Sequence, residues 1–83
     1  MVTPVTKDGN IDVAAVERIV DNMASHQCSP LIMGTTGEGN SCSTKMGAEM
    51  IAAAKRAADG RVTIYAGLQG TCIAEQYEAA KAY

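Results

Sequence analysis

Apolar positions along the chain follow two rhythms. Val16, Ile19, Val20 and Met23 recur at i, i+3, i+4 and i+7, one stripe of an amphipathic helix, with Glu17, Arg18, Asp21 and Asn22 on the other face. Asp12 can cap that helix, its carboxylate accepting the orphan amides of the first turn. Ile11 and Val16 stand at the two positions of a hydrophobic staple. Together these predict a first helix over 12–25. Ser43 is a good cap for a second helix, in which Met46, Met50, Ala53, Ala54 and Ala57 face inward. Asp59-Gly60 closes it, glycine being tolerant of the left-handed C-terminal conformation. Thr71 is positioned to cap a third helix that turns Ile73, Tyr77 and Ala80 inward. Its pattern reaches Tyr83 with no Gly, Pro or polar closing signal.

Between the helical stretches lie short runs of another kind. Residues 30–34 are continuously apolar, without alternation, as suits a parallel strand buried on both faces. Residues 61–67 are β-branched and aromatic, a second strand followed by a loop over 68–70. Asp8-Gly9 marks a turn, and residues 2–5 read as the very end of an earlier strand. Strands about 30 residues apart that alternate with helices imply βαβ units and a parallel sheet, hence an α/β fold. Two and a half such units close no architecture, and their outer strands would leave unpaired amides and carbonyls. The chain is therefore expected to be part of something larger.

Composition narrows the class. A chain of 83 residues buries only about 60–65% of the surface its unfolded form exposes. Hydrophobic residues make up 47%, yet only Tyr65, Tyr77 and Tyr83 are aromatic, so Val, Ile, Leu, Met and Ala must build the core. Seven Lys and Arg against nine Asp and Glu give a net charge of -2. With charges scattered, nothing resembles the basic stripe of a nucleic-acid binder. Apolar runs stop at four or five residues, against roughly 20 for a membrane span. Met1 leads into Val-Thr-Pro with no signal-peptide pattern. The expectation is an ordered, soluble, cytoplasmic chain with no membrane or nucleic-acid partner.

Cys28, Cys42 and Cys72 are an odd set at wide spacings, unlike a secreted disulfide framework. With His26 they could supply four zinc ligands, but no CxxC or HxxxH pair is present. Free thiols and no metal are expected.

Gly34-Thr35-Thr36-Gly37-Glu38 lies between a predicted parallel strand and a helix, where α/β proteins bind ligands. Its glycines allow a tight turn and close approach of the backbone. Two hydroxyls and nearby amides can donate toward one small anion, at roughly 1.5–3 kcal/mol per bond to a charged partner. Three such bonds could hold a carboxylate without a cationic side chain. An ordinary βα turn, with threonines serving the backbone, fits the same residues. A phosphate cradle ranks third, because the Gly-Lys-Ser/Thr ending of a P-loop and the G-x-G-x-x-G spacing are both missing.

Several further motifs accompany that loop. Thr3-Pro4-Val5-Thr6 is followed by Asp8-Gly9-Asn10-Ile11-Asp12, and Asp59-Gly60-Arg61-Val62 by Ile64-Tyr65-Ala66-Gly67. With Gly34-Thr35-Thr36-Gly37-Glu38 and the tail over 74–81, the chain resembles the dihydrodipicolinate synthase / N-acetylneuraminate lyase family along essentially its whole length. The resemblance implies the N-terminal βα units of a TIM (β/α)8 barrel, from the end of strand one through helix three. It further implies a homo-oligomer, usually a tetramer, and class I aldolase chemistry on pyruvate or another 2-keto acid. In that family a lysine on a later strand forms the Schiff base and a tyrosine on an intervening strand relays protons; no cofactor is called for. Mapped onto this sequence, Thr35 and Thr36 bind the substrate carboxylate, Thr35 also joins the proton relay, and Gly34 and Gly37 shape the binding loop. Glu38 falls at a loop-supporting position.

The lysine and the relay tyrosine of the family have no counterpart up to Tyr83. A typical barrel has about 250 residues, roughly three times this chain. The sequence also departs from the family at His26, Gly39, Met46 and Ile73. Lys7, Lys45, Lys55 and Lys81 read as solvated charges, since a nucleophilic lysine needs a desolvating pocket. His26 reads as a helix-terminal charge, and Tyr65 as core packing. The alternative to a lyase segment is a non-catalytic fragment that folds only by self-association or with the rest of a barrel.

Overall fold

A computed structural model describes residues 1–68 and 70–83; the part of the 68–70 loop that falls on Gln69 lies outside the described residues. The first helix, α1 (Val13–Ser25), is capped by Asp12, whose carboxylate accepts from the Ala15 amide at 3.1 Å. The second, α2 (Thr44–Ala58), is capped by Ser43, which accepts from the Met46 amide at 3.1 Å. Between and after them run the short strands β1 (Leu31–Ile32) and β2 (Tyr65–Ala66), and a third helix, α3 (Ile73–Ala82), follows. The strands pair in parallel, Leu31 beside Tyr65 and Ile32 beside Ala66, with α2 as the crossover.

The core lies on one face of this pair. Val16 and Val20 from α1, Met50, Ala53, Ala54 and Ala58 from α2, and Ile32 and Met33 from the β1 segment are buried together with Ile11. The expected staple is present, since both Ile11 and Val16 belong to this cluster. The buried line of α1 runs Val16, Val20, Ala24, while Ile19 and Met23 are only half-buried, so the helix is rolled slightly from the predicted stripe. Gly47 and Ala58 of α2 are buried, and Met46 and Ala57 flank the core.

Both strands are shorter than predicted. Residues 61–64 do not pair, and Arg61 is occupied elsewhere. Its Nε donates to the Ala58 carbonyl at 3.0 Å and its Nη2 to the Ala57 carbonyl at 2.6 Å, satisfying two orphan acceptors at the end of α2. The same guanidinium meets Asp21 of α1 at 2.8 Å. Residues 2–5 form no strand either. Val5 makes an isolated antiparallel bridge with Ile11, and the Met1 ammonium donates to the Leu31 carbonyl at 2.7 Å.

Four residues expected to face inward, Tyr65, Ile73, Tyr77 and Ala80, are exposed instead. Neighbouring strand residues point to opposite faces, so with Ile32 and Ala66 turned to the helices, Leu31 and Tyr65 are 52% and 57% exposed. Tyr65 is therefore not core. Ile73 and Tyr77 of α3 are 83% and 62% exposed and Ala80 is exposed; Ala79 is the buried residue of that helix. The helix seats on α2 through Ala79 and, one turn on, the Tyr83 ring. That ring lies over Gly47, where a Cβ would come within 2.7 Å of Tyr83 Cζ. Packing against a small residue decided the face that a weak apolar pattern did not. Thr71 also fails to cap: the cap position is Cys72, without a side-chain bond, and the Thr71 amide donates to Glu75 Oε2 at 2.8 Å.

The end of α1 shows how a chain without glycine turns there. His26 keeps a negative φ of -103°, and Gln27 takes the left-handed conformation at 58°. The Cys28 amide donates to Met23 O at 2.8 Å and the Gln27 amide to Ala24 O at 3.0 Å, a Schellman pair. A left-handed residue with a Cβ costs about 1–2 kcal/mol. Gln27→Gly should therefore stabilise the protein by about 1 kcal/mol, read as a higher urea midpoint at unchanged m-value; an unchanged or lowered midpoint would contradict the assignment.

Candidate functional site

The loop over residues 34–42 leaves β1 on its C-terminal side and folds onto itself before entering α2. The Glu38 amide donates to Thr35 O and the Gly39 amide to Gly34 O, each at 3.0 Å. A 3-10 turn, Gly39–Ser41, then leads to the Ser43 cap. Gly37 and Gly39 are buried beneath the loop, Gly34 is half-buried, and Thr35 and Thr36 are exposed at its crest. All four predicted site residues thus share one turn at the strand end, with both threonines exposed.

The bends of this loop are not made by its predicted glycines. The left-handed residues are Met33, at φ 56°, and Glu38, at φ 58°, one on either side of the Gly34-Thr35-Thr36-Gly37 run. Gly34 would tolerate a Cβ, whose nearest neighbour would be Leu31 Cδ2 at 3.7 Å. Gly37 would not: its Cβ would stand 2.6 Å from Met1 O and 3.1 Å from Thr3 Oγ1. Gly37 is thus required for close packing of the N-terminal segment. Thr3 Oγ1 completes that contact by donating to Gly37 O at 2.5 Å. The sequence reading missed Thr3; the Thr3-Pro4 pair was visible, but its spacing from Gly37 carries no signal of contact.

Around the loop the chemistry is sparse. Cys42 Sγ donates to Glu38 O at 3.5 Å, and the carbonyl of Glu38 also accepts the Ser41 amide at 2.9 Å. Burial, followed by the nearby Glu38 carboxylate, pushes the Cys42 thiol up. Burial, and then Cys42, does the same to the Tyr83 phenol. Lys7, Lys45, Lys55 and Lys81 are all exposed, so none sits in a desolvated nucleophile's pocket. His26 Nδ1 lies 2.8 Å from Asn22 O at the end of α1. No three His, Cys, Asp or Glu side chains among the described residues gather at metal-binding distance. None of the described helices is long and apolar enough to cross a membrane.

Of two grooves, only the polar one reaches the loop, and neither includes Thr35 or Thr36. A polar one of about 610 Å³ is lined by Asn40, Cys42, Ser43, Thr44, Gly70, Thr71 and Glu75. An apolar one of about 400 Å³ runs past Ile51, Ala58, Val62, Ile64, Ala66 and Tyr83. Thr35 and Thr36 stand outside both grooves, exposed on the turn.

The fold recurs among known proteins. Residues 1–83 match the Dihydrodipicolinate synthetase family. A 4-hydroxy-tetrahydrodipicolinate synthase from Corynebacterium aurimucosum is 37% identical over 84 aligned positions, covering 100% of this chain and 28% of the relative. Among solved structures, N-acetylneuraminate lyase from Mycoplasma synoviae superposes with a TM-score of 0.84 at 36% identity, covering 99% of this chain and 29% of that one. Dihydrodipicolinate synthase from Acinetobacter baumannii, solved with pyruvate, gives a TM-score of 0.87 at 31% identity, with 99% and 28% coverage. The chain spans between a quarter and a third of the length of the curated relatives it matches, and its α/β architecture with parallel strands is that of part of a TIM barrel.

The thiols provide a test of the loop's packing. Cys28 and Cys72 are exposed and Cys42 is half-buried. A raised pKa leaves less thiolate at any pH below it, and the thiolate is the reactive form. Under limiting iodoacetamide near neutral pH, peptide mapping should show Cys28 and Cys72 alkylated well before Cys42. Equal rates at all three would mean that the loop does not shield the thiol.

Proposed function

Because the chain belongs to the dihydrodipicolinate synthetase family, we propose that it is the N-terminal segment of a lyase or aldolase acting on pyruvate or a related 2-keto acid. On this reading it runs from the end of barrel strand one through helix three. The observation that carries the proposal is the pair of exposed hydroxyls on Thr35 and Thr36, held at the C-terminal end of β1 by a tightly folded turn. Both donate to the carboxylate of the keto acid, and Thr35 in addition passes a proton toward the reacting carbonyl. With no basic side chain in residues 34–39, recognition rests on neutral donors, which suits a small carboxylate better than a multiply charged phosphate. The Dihydrodipicolinate synthase from Acinetobacter baumannii was solved with pyruvate, which supports that choice of keto acid. The Schiff base itself falls to a lysine outside these 83 residues, and the assembled enzyme is a homo-oligomer.

One observation also favours a second reading, in which the chain folds only against copies of itself or the rest of a barrel. Leu31 and Tyr65 leave one face of the strand pair uncovered. A urea midpoint that climbs with protein concentration would support this reading for the isolated chain.

Two measurements test the first reading. After treatment with pyruvate and borohydride, intact mass should show no adduct on the 83-residue chain, whose four lysines are all exposed. One reduced pyruvate should appear on a protein in which this segment is joined to the remaining strands of a family barrel. In that complete protein, Thr35→Val and Thr36→Val should each lower kcat/KM for pyruvate roughly 10- to 100-fold, the loss of one hydrogen bond to a charged group. An adduct on the short chain, or full activity in both variants, would overturn the proposal.

A further inference from the structure

We propose that Thr3 is the positioning residue of the Thr35-Thr36 turn, a tether that fixes where the two hydroxyls point; its importance for substrate rests on the carboxylate-binding reading above. Four observations combine. From Gly34 to Cys42 the described backbone bonds, with that of Cys42 Sγ, are local: Glu38 to Thr35, Gly39 to Gly34, Ser41 and Cys42 Sγ to Glu38, and Cys42 to Gly39. The Thr3 hydroxyl reaches it from 34 residues away, half-buried, donating to Gly37 O at 2.5 Å. Gly37 has no room for a side chain, because the backbone of Met1 and the Thr3 hydroxyl occupy the space of its Cβ. Met33 and Glu38, at the two ends of the turn, both hold a left-handed backbone that a residue with a Cβ resists.

The tether is itself anchored. The Asp12 amide donates to Pro4 O at 3.0 Å, and Val5 bridges to Ile11, which is buried in the core. A rigid route thus runs from the start of α1 through residues 3–5 to Gly37, and from Gly37 to the threonines beside it. Thr35 and Thr36 have no side-chain hydrogen bond to any described residue, so their direction follows that of the backbone beneath them. A turn with left-handed residues at both ends will relax around Gly37 when the Thr3 hold on its carbonyl is lost.

The test is residue-resolved amide exchange on the 83-residue chain and its Thr3→Val and Thr3→Ser variants. Valine keeps the shape and removes the donor; serine keeps the donor. The amides of Glu38 and Gly39, bonded to Thr35 O and Gly34 O, should exchange roughly tenfold faster in Thr3→Val, the scale expected for losing one hydrogen bond in a local opening. Val20 and Ala54 in the helices should change little, and Thr3→Ser should restore the loop amides. Unchanged Glu38 and Gly39, acceleration of all amides together, or a serine variant no better than valine would each overturn the tether. The measurement contains no pyruvate, so it judges the tether whether or not the substrate reading stands. A parallel titration of the wild-type chain and variants with pyruvate, followed at the Thr35 and Thr36 amides, addresses the reading separately.

Discussion

Two parallel strands cannot be joined by a tight turn: the chain must travel back along one face of the sheet before the second strand can lie beside the first. Here that return is α2, and the requirement organises nearly everything else. Ile32 and Ala66 turn toward the returning helix, which obliges Leu31 and Tyr65 to turn the other way. The helix presents Met50, Ala53, Ala54 and Ala58 to the strands and to α1. Mostly small side chains allow the layers to approach closely, and Val16 and Val20 fill the remaining space. With no Phe or Trp available, the close fit of many small contacts stands in for a few large ones. The crossover also fixes where chemistry can occur, since the turn between β1 and α2 must emerge at the carboxyl end of the strand.

Much of this was legible in the residues. Asp12 and Ser43 announced both caps because capping is a local matter of one oxygen and one amide. Val16, Val20, Met50, Ala53 and Ala54 were legible because helical period and burial coincide there. Gly34 to Glu38 was legible as a turn of unusual composition, and the four site residues do share it. The failures have a common cause. Helical spacing predicts Ile73 and Tyr77 inward, yet which face of a helix is covered depends on what lies opposite, and Gly47 seats the Tyr83 ring. Tyr65 was assigned to the core from its type, although strand alternation places it on the uncovered face. Arg61 looked like a strand residue until its guanidinium proved to be closing α2. Met33 and Glu38 in left-handed conformation, and Thr3 on Gly37, depend on contacts across the fold that no local pattern encodes.

The candidate site shows a division of labour between backbone and side chains. The fold spends its buried interactions on the shape of the turn, while the groups able to meet a ligand are left exposed above it. Salt bridges lie elsewhere, Arg56 with Glu17 and Arg61 with Asp21 joining α1 to α2, and Lys81 with Glu78 on α3. These are exposed pairs and contribute little individually. Two of them tie the helical layer together, and none involves a residue of the threonine turn. Selection on the threonine turn and selection on the helical layer therefore act through separate sets of residues, coupled chiefly through the segment that begins the chain.

The seat of Tyr83 on Gly47 has an optical consequence. The protein has no tryptophan, and of its three tyrosines Tyr65 and Tyr77 stand in solvent while Tyr83 is half-buried. Tyrosine absorbance and emission therefore divide between two exposed rings, Tyr77 with the Lys81 ammonium 4.7 Å from its centroid, and one ring that reports the interface between α2 and α3. Any event that lifts the last helix from its neighbour changes the spectrum through a single chromophore placed at that joint. The molecule carries its own indicator of whether its third helix is docked, without a label and without an added residue.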